Sequence, residues 1–187
     1  MPSKFVRSLD LMISISLLIV FFPIIFITYV CCLTETKSPI FKQKRIGLHE
    51  VDFTLFKFRT MSPSTPHVPT HEIHLSNVTP IGKVLRKYKL DELPQLLNVI
   101  KGDMSLVGPR PNLRTQIRLT SLRKKHNIYT VKPGITGLSQ LRKIDMSSEL
   151  KLIDSDKEMI TNMTFWRYFA YIIMTAVGKG NGDHVKI

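Results

Sequence analysis

The longest apolar segment of the chain runs from Leu11 to Leu33 and has no ionisable side chain except Tyr29 and the thiols of Cys31 and Cys32. As one helix with about 1.5 Å of rise per residue, it would extend roughly 35 Å, which exceeds a hydrocarbon core of about 30 Å. A secretory signal fits poorly, because its apolar region usually has ~7–15 residues. The pattern therefore predicts a helix that enters a membrane.

Pro23 lies near the middle of this segment and predicts a kink, because proline removes a backbone hydrogen bond and clashes with the preceding turn. Both flanks are basic, so the positive-inside rule gives no preferred side. The flanking cations are Lys4, Arg7, Lys37, Lys42, Lys44 and Arg45. A re-entrant helix would bend at Pro23 and return to the same face, whereas a spanning helix would tolerate the proline. The residues leave both topologies open.

Residues 34–61 predict loops and short strands. Phe53 and Leu55 lie on one side of a weak alternation, and Thr54 and Phe56 lie on the other. Alternation with a period of two is typical of a strand whose two faces differ in environment. We therefore expect a small β-hairpin in this part of the chain.

Residues 62–80 contain four prolines among many serines and threonines, which predicts a long surface loop. His67, His71 and His74 lie in this loop. A metal site at these histidines is disfavoured, because a loop with so many prolines and no cysteine or paired carboxylate is a poor cage for a metal ion.

Residues 81–101 show helical periodicity, interrupted by Pro94 and ended by Gly102. A kink or a new helix start is expected just before Pro94. Asp91 and Glu92 fall at this break, among several lysines and arginines. Acidic residues near a helix N-terminus often serve only as caps, so this position by itself leaves a structural role open.

The C-terminal part holds five of the chain's 16 aromatic residues between positions 165 and 171, including Trp166. The apolar run that continues to Val177 is too short to span a membrane and carries Arg167. An amphipathic helix in the membrane interface is expected, with a buried core helix as the alternative. Together the patterns predict a mostly helical α+β protein, with a membrane-entering helix, interfacial amphipathic helices and a small β-hairpin.

The chain is strongly basic, with 27 Lys and Arg against 14 Asp and Glu and a formal charge of +13. Residues 82–151 carry 15 of the cations and five of the acidic residues. Such a balance favours an anionic partner: a nucleic acid, an acidic membrane face or a phosphorylated substrate. The low glycine and cysteine contents exclude a collagen-like protein and a disulfide scaffold.

Two turn clusters within the basic region combine rigid proline, permissive glycine and a cation. They are Gly108-Pro109-Arg110-Pro111 and Lys132-Pro133-Gly134-Ile135-Thr136-Gly137. Such turns suit a backbone that lies close to a phosphate, although neither is specific by itself.

Residues 89–111, with the sequence KLDELPQLLNVIKGDMSLVGPRP, closely resemble the signature of the bacterial sugar transferases, the monotopic phosphoglycosyl transferases. Residues 56–61 (FKFRTM) and 133–137 (PGITG) match two further motifs of this family in the expected order. The resemblance covers nearly the whole chain. It implies a re-entrant membrane segment at residues 1–36 and a catalytic domain at residues 37–187, on the cytoplasmic face of the bacterial inner membrane.

The resemblance also implies an activity. The family transfers a sugar-1-phosphate from a nucleoside diphosphate sugar, usually UDP-linked, to polyprenol phosphate, releases UMP and requires Mg²⁺. The Asp-Glu pair of the family is catalytic, here Asp91 and Glu92, and both are expected to hold the metal. The hypothesis is that Asp91 attacks the sugar-bearing phosphorus, and that Glu92 helps to hold Mg²⁺ or accepts a proton.

The phosphate-binding residues are also expected from the resemblance and from charge. Arg86 matches a phosphate ligand of the family, and the other candidates are Arg110, Lys57, Arg59 and Asp156. Pro23 and Trp166 are expected to lie at the membrane.

The sequence departs from the family pattern after Gly137, where a tryptophan and then an Asn-Gly-Arg run are common in the family. This puts any phosphate contact at that place in doubt, although Arg142 or Lys143 is available to replace the arginine.

Two other functions remain as alternatives. A basic protein that binds anionic lipid or nucleic acid is one, although the basic run at 110–132 has no stacking aromatic except Tyr129, which disfavours nucleic acid. A catalytically inactive, membrane-bound scaffold of the same family is the other. The sequence leaves open which sugar is transferred, which glycan is made and whether the chain forms homo-oligomers.

Overall fold

The computed structural model describes residues 3–63, 65 and 77–178. It is a mostly helical α+β fold, as predicted. The helices are α1 (Ser3–Val20), α2 (Phe22–Thr36), α3 (Pro80–Lys87), α4 (Gln95–Lys101), α5 (Ile117–Lys125), α6 (Leu138–Leu141), α7 (Glu149–Thr161) and α8 (Phe165–Ala176). The strands are β1 (Ile40–Ile46), β2 (Asp52–Phe58), β3 (Ser105–Val107) and β4 (Gly134–Thr136). His67, His71 and His74 lie outside the described residues.

The apolar N-terminal segment forms two helices with a sharp bend between them. α1 ends at Val20, α2 begins at Phe22, and the two axes differ by 65°. Pro23 occupies the first turn of α2, where its missing N–H leaves no intrahelical bond unmade. In the described part of the chain, no single helix has both the length and the apolarity to cross a membrane, whereas α1 and α2 have them as a bent pair.

The start of α1 is anchored to the rest of the protein by two charged side chains. Arg7 donates hydrogen bonds to the carbonyls of Val99 (2.5 Å) and Ile100 (2.6 Å) in the last turn of α4. A cation there is favourable, because the C-terminal carbonyls of a helix carry partial negative charge. The buried carboxylate of Asp10 accepts a hydrogen bond from the backbone N–H of Leu106 in β3 (3.0 Å).

The end of α2 contacts the same body of the protein at another place. The Cys32 thiol is fully buried and donates to the carbonyl of Arg59 (3.7 Å). The Glu35 carboxylate accepts from the N–H of Ile81 at the start of α3 (3.3 Å). Both ends of the bent pair are therefore attached to one folded unit.

Strands β1 and β2 form the expected antiparallel hairpin, in which Ile40 pairs with Phe58 and Ile46 with Asp52. The buried face of β2 carries Phe53 and Leu55 and then Lys57. The period of two thus places one lysine in line with the apolar side chains that pack on the core. This position directs its ammonium group to the turn that carries Asp91 and Glu92.

The two predicted turn clusters lie against each other, because β3 and β4 pair in parallel. The Gly108 N–H donates to the Thr136 carbonyl (2.9 Å), and the Gly134 N–H donates to the Pro109 carbonyl (3.0 Å). A Cβ on Gly134 would lie 2.0 Å from the Gly108 nitrogen, so only glycine allows this approach. The second cluster thereby supports the backbone that leads into Arg110.

Helix α8 is amphipathic. Tyr168 and Tyr171 pack in the main hydrophobic core, with Leu106 and Met159 among its other members. Trp166, on the other side of the helix, is 79% exposed. The aromatic segment thus serves partly as core and partly as an exposed apolar surface.

Candidate active site

Asp91 and Glu92 lie on a short turn between two helices. α3 ends at Lys87, a 3₁₀ turn covers Leu90–Glu92, and α4 begins at Gln95 after Pro94. This is the break that the proline predicted. Because the chain changes direction here, the two carboxylates project from a tight corner and not from a continuous helix.

Lys89 forms the corner with a backbone conformation that few lysines adopt. Its φ is +56°, in the left-handed region. A non-glycine residue in this region costs about 1 kcal/mol or more, and such strain is concentrated at functional sites. Burial lowers the pKa of Lys89, Arg110 lowers it further, and Glu92 has the opposite effect. The sequence shows Lys89 only as one of many cations and does not predict its left-handed backbone conformation.

Glu92 brings together two cations from distant parts of the chain. Its Oε1 accepts from the Lys57 ammonium (3.1 Å) and from the Arg110 guanidinium (3.0 Å). Lys57 comes from β2 and Arg110 from the turn after β3, so only tertiary packing brings them together. Glu92 thus holds both cations next to Asp91, and cations in this position suit the charge of a diphosphate.

Asp91 is 4% exposed, which is unusual for a carboxylate. A buried carboxylate among cations is an oxygen nucleophile and a ligand for a hard metal ion. The arrangement therefore supports the chemistry that the sequence predicted.

Arg86 is positioned by the packing of α3 on Thr60. The Arg86 Nε donates to Thr60 Oγ1 (2.9 Å). A Cβ on Gly82 would lie 2.2 Å from the Thr60 carbonyl oxygen, so glycine is required for α3 to approach this closely. Thr60 belongs to the FKFRTM motif, but this motif does not predict that Thr60 contacts Arg86.

Asn98 fixes α4 against β2. Its amide donates to the Thr54 carbonyl (2.7 Å), and its Oδ1 accepts from the Phe56 N–H (3.0 Å). These bonds set the distance between Lys57 on the strand and Glu92 before the helix. The functional motifs did not single out Asn98, although its place in an apolar run was a signal, since a fully buried amide needs partners.

Arg59 is directed elsewhere in this structure. Its guanidinium donates to the Ser38 carbonyl (2.8 Å) and to Ser38 Oγ (3.3 Å), and it lies over the Phe41 ring. These contacts connect the end of β2 to the chain that leaves α2. A phosphate-binding role for Arg59 stays a prediction that these contacts do not support.

Asp156 lies in the interior of the protein. The sequence predicts a phosphate-binding role, but the side chain is fully buried and pairs with Arg123 (2.7 Å). Ser139 Oγ donates to its other oxygen (3.4 Å). A phosphate-binding role for Asp156 stays a prediction that these contacts do not support, because a buried negative charge would repel a phosphate.

Arg123 connects Asp156 to the active site. Its guanidinium donates to the Arg110 carbonyl (2.6 Å) and to Asn112 Oδ1 (3.0 Å). Asp156 therefore positions Arg123, which in turn holds the backbone carbonyl of Arg110. The sequence pattern shows Arg123 only as part of the basic run at 110–132. Its spacing of four residues from Leu119 was a signal that it lies on the buried face of α5.

The remaining predicted positions are on the surface. Arg142 forms an exposed ion pair with Glu158 (2.5 Å), so the structure gives no sign that it replaces the missing family arginine at the site.

Residues 3–63, 65 and 77–178 contain no cluster of three or more histidines, cysteines or carboxylates that would hold a metal ion by itself.

The chain is similar to known bacterial sugar transferases. The family model described as bacterial sugar transferase matches residues 2–179. The sugar transferase EpsL of Bacillus subtilis, which is itself uncharacterised, is 40% identical over 173 residues, 90% of this chain and 84% of EpsL. The UDP-glucose:undecaprenyl-phosphate glucose-1-phosphate transferase of Caulobacter vibrioides is 34% identical over 179 residues, 90% of this chain and 67% of that protein.

A third relative is matched over a smaller share of its own length. The undecaprenyl-phosphate galactose phosphotransferase of Salmonella typhimurium is 31% identical over 188 residues, which are 91% of this chain but 39% of that protein. The similarity in each case includes the part of the chain that carries the candidate active site.

Proposed function

Because this chain belongs to the bacterial sugar transferase family, we propose that it transfers a sugar-1-phosphate from a UDP-sugar to polyprenol phosphate. The observation that supports this most is the buried Asp91 next to Glu92, which holds Lys57 and Arg110 at one oxygen. The relatives in Caulobacter and Salmonella bear names that give undecaprenyl phosphate as the acceptor.

The proposed reaction has two steps. In the first, a carboxylate oxygen of Asp91 attacks the phosphorus that bears the sugar, the bond from this phosphorus to the bridging oxygen breaks, and UMP leaves with that oxygen. In the second, a phosphate oxygen of the polyprenol phosphate attacks the same phosphorus. The Asp91–phosphorus bond breaks, the carboxylate is regenerated, and polyprenyl diphosphate-sugar is released. A covalent intermediate replaces one difficult transfer by two easier ones.

The cations stabilise the negative charge that develops on the phosphates. Lys57 and Arg110 are held by Glu92 within reach of the Asp91 corner, and Arg86 lies on α3, which contacts the turn that carries Asp91. Such preorganised charges stabilise a phosphoryl-transfer transition state more than the ground state. Glu92 thus positions two cations, in addition to any role as a metal ligand or proton acceptor.

The oxygens at the corner also suit Mg²⁺, which usually takes one or two carboxylates together with substrate phosphates and waters. Asp91 and Glu92 are the residues that would hold it. When bound, the ion would neutralise charge on the donor diphosphate.

An apolar groove next to Asp91 suits the chain of a polyprenol. It has a volume of about 340 Å³ and lies between α2 and α3. Its lining is Ile24, Ile27, Thr28, Cys31, Ile81, Val84, Leu85 and Leu90. Leu90 precedes Asp91, so an isoprenoid chain in this groove would bring its phosphate from the membrane side to the nucleophile.

The position of the bent helix pair supports a re-entrant topology on the cytoplasmic face of the inner membrane. Arg7 and Asp10 attach the start of α1, and Cys32 and Glu35 attach the end of α2, to the same folded unit. A segment that crossed the membrane would place these two ends on opposite sides. The exposed apolar residues between them, such as Ile19 and Phe26, would contact lipid.

Cysteine labelling tests this topology. We expect Lys4→Cys and Lys42→Cys, in a chain whose Cys31 and Cys32 are replaced by alanine, to react with an impermeant maleimide only after the inner membrane is opened. Lys157→Cys, on the exposed side of α7, is the matched control for the catalytic domain. Labelling of positions 4 and 42 from opposite sides would contradict the re-entrant proposal.

The activity itself is tested by release of UMP from a panel of UDP-sugars by the purified protein. With undecaprenyl phosphate and Mg²⁺, we expect continuous release for at least one donor. Without the acceptor, release should stop at about one equivalent of enzyme, because the sugar-phosphate stays on Asp91. Absence of release with every donor would contradict the proposal and favour an inactive scaffold.

A further inference from the structure

A larger cavity lies away from the candidate active site. It has a volume of about 660 Å³ and lies between the first turns of α1, strand β3, residues 130–132 before β4, and the junction of α7 and α8. Lys4, Arg7 and Lys132 contribute to its lining. The residues to which we assign a part in phosphate transfer do not line it, so it is a separate place on the molecule.

Two of its cations lie close together. The Arg7 guanidinium and the Lys132 ammonium each lie 3.6 Å from the point that a Cβ on Gly102 would occupy. Arg7 is partly neutralised by the carbonyls of Val99 and Ile100. Lys132 is half-buried, and it donates no hydrogen bond to any residue in the described ranges. A second cation is thus held next to Arg7 without an acceptor.

The electrostatics agree with this geometry. Burial lowers the pKa of Lys132, and Arg7 lowers it further, whereas Asp10 and Asp103 act in the opposite direction. The Asp10 carboxylate is already engaged, because its Oδ1 accepts from the Leu106 N–H and the Tyr168 hydroxyl. The cavity therefore has an excess of positive charge that an anion would neutralise.

The rest of the cavity wall is mostly apolar. Val6, Val107, Met159, Ile160 and Met163 contribute to it. A free inorganic anion would leave these side chains against water, whereas a ligand with a charged head and an apolar chain would cover them. The lining therefore favours an amphiphile.

Aromatic side chains lie next to the cavity in sequence and in space. Phe5 follows Lys4, and its ring lies 5.8 Å from that of Phe165, which lies 5.3 Å from that of Trp166. Phe165 and Trp166 follow Met163, which lines the cavity. Tryptophan is enriched at the headgroup level of membranes, where Lys and Arg also attract anionic lipids.

We infer that this cavity binds an anionic membrane phospholipid, with its phosphate between Arg7 and Lys132 and its acyl chain on the methionine-rich wall. The inference depends on the proposed membrane position of α1 and α8. Bound lipid would tie the start of α1 to α8, because both helices contribute to the site. This site is independent of the acceptor groove beside Asp91, which other residues line.

Native mass spectrometry of the full chain in detergent tests the inference, with phosphatidylglycerol and phosphatidylcholine as probes. We expect phosphatidylglycerol to bind at least about tenfold more tightly. Lys132→Gln should remove about tenfold of that affinity, since it deletes one charge-assisted hydrogen bond, and Lys132→Arg should retain it. Lys125→Gln, at an exposed lysine at the end of α5, should leave it unchanged.

Equal affinity for both lipids would overturn the inference, as would equal lipid binding by wild type and Lys132→Gln. Displacement of the lipid by millimolar inorganic phosphate or UMP would also overturn it, because the site would then bind a free phosphate. The readout is independent of turnover. An inactive protein that binds the lipid would refute the proposed function alone, and an active one that does not bind it would refute this inference alone.

Discussion

Replacement of Asp91 by asparagine is expected to reduce sugar-phosphate transfer by about 10³-fold or more, because an amide does not replace a carboxylate as the attacking group. The side chains have nearly the same shape, so the buried corner should remain folded. Membrane association should also remain, because α1 and α2 are unchanged. The measurement is UMP release with the donor and acceptor of the wild-type assay.

Asp154→Asn is the matched control, since Asp154 is an exposed aspartate on α7. It should keep wild-type turnover. Mass spectrometry of the intact protein, incubated with donor alone, should find one sugar-phosphate on the wild type and on Asp154→Asn but none on Asp91→Asn. Wild-type turnover by Asp91→Asn, or an adduct on another residue, would contradict the assignment.

Replacement of Asp156 by alanine is expected to lower the free energy of unfolding by about 3–5 kcal/mol, because it leaves the Arg123 charge buried without its partner. Arg123 and Asp156 are 1% and 0% exposed. For a chain of this size, the thermal midpoint should fall on the order of 10 °C. The measurement is thermal unfolding in detergent. Asp154→Ala, two residues earlier on the same helix but exposed, should change the midpoint little.

A double variant separates the effect of the buried charge on stability from the effect of these contacts on turnover. Arg123→Met combined with Asp156→Leu should recover much of the lost stability, because buried ion pairs are often replaced by apolar pairs at little cost. Its turnover should nevertheless stay low, because the Arg110 carbonyl has lost its donor. If Asp156→Ala unfolded like Asp154→Ala and only raised the KM for the donor, Asp156 would contact substrate as the sequence predicted.

Features set by neighbouring residues were predictable from the sequence. The helix bends just before Pro23 because proline clashes with the preceding turn, and Pro94 follows the break that carries Asp91 for the same reason. The β-hairpin followed from alternation over a few residues of β2. The family resemblance added the identity of the Asp-Glu pair, which no local pattern distinguishes from a helix cap.

The partners of the site residues were not predictable in the same way. Glu92 meets Lys57 and Arg110 because a strand, a turn and a second turn pack together, and no spacing in the sequence encodes this. The sequence predicts that Arg59 and Asp156 bind phosphate, but their closest partners are Ser38 and Arg123. A charged side chain takes the partner that tertiary packing brings near, since burial without a partner is costly.

The sequence by itself determined an apolar segment with the length to enter a membrane, a bend next to Pro23, a hairpin, a broken helix with Asp91 and Glu92, and a basic middle region. These follow from local sterics and from the periodicity of apolar residues, which act over a few turns or strands. Only the tertiary structure decided which of the cations surround Glu92, and that Lys132 lies beside Arg7 in a second cavity. Those contacts join residues far apart in the chain, and packing brings them together.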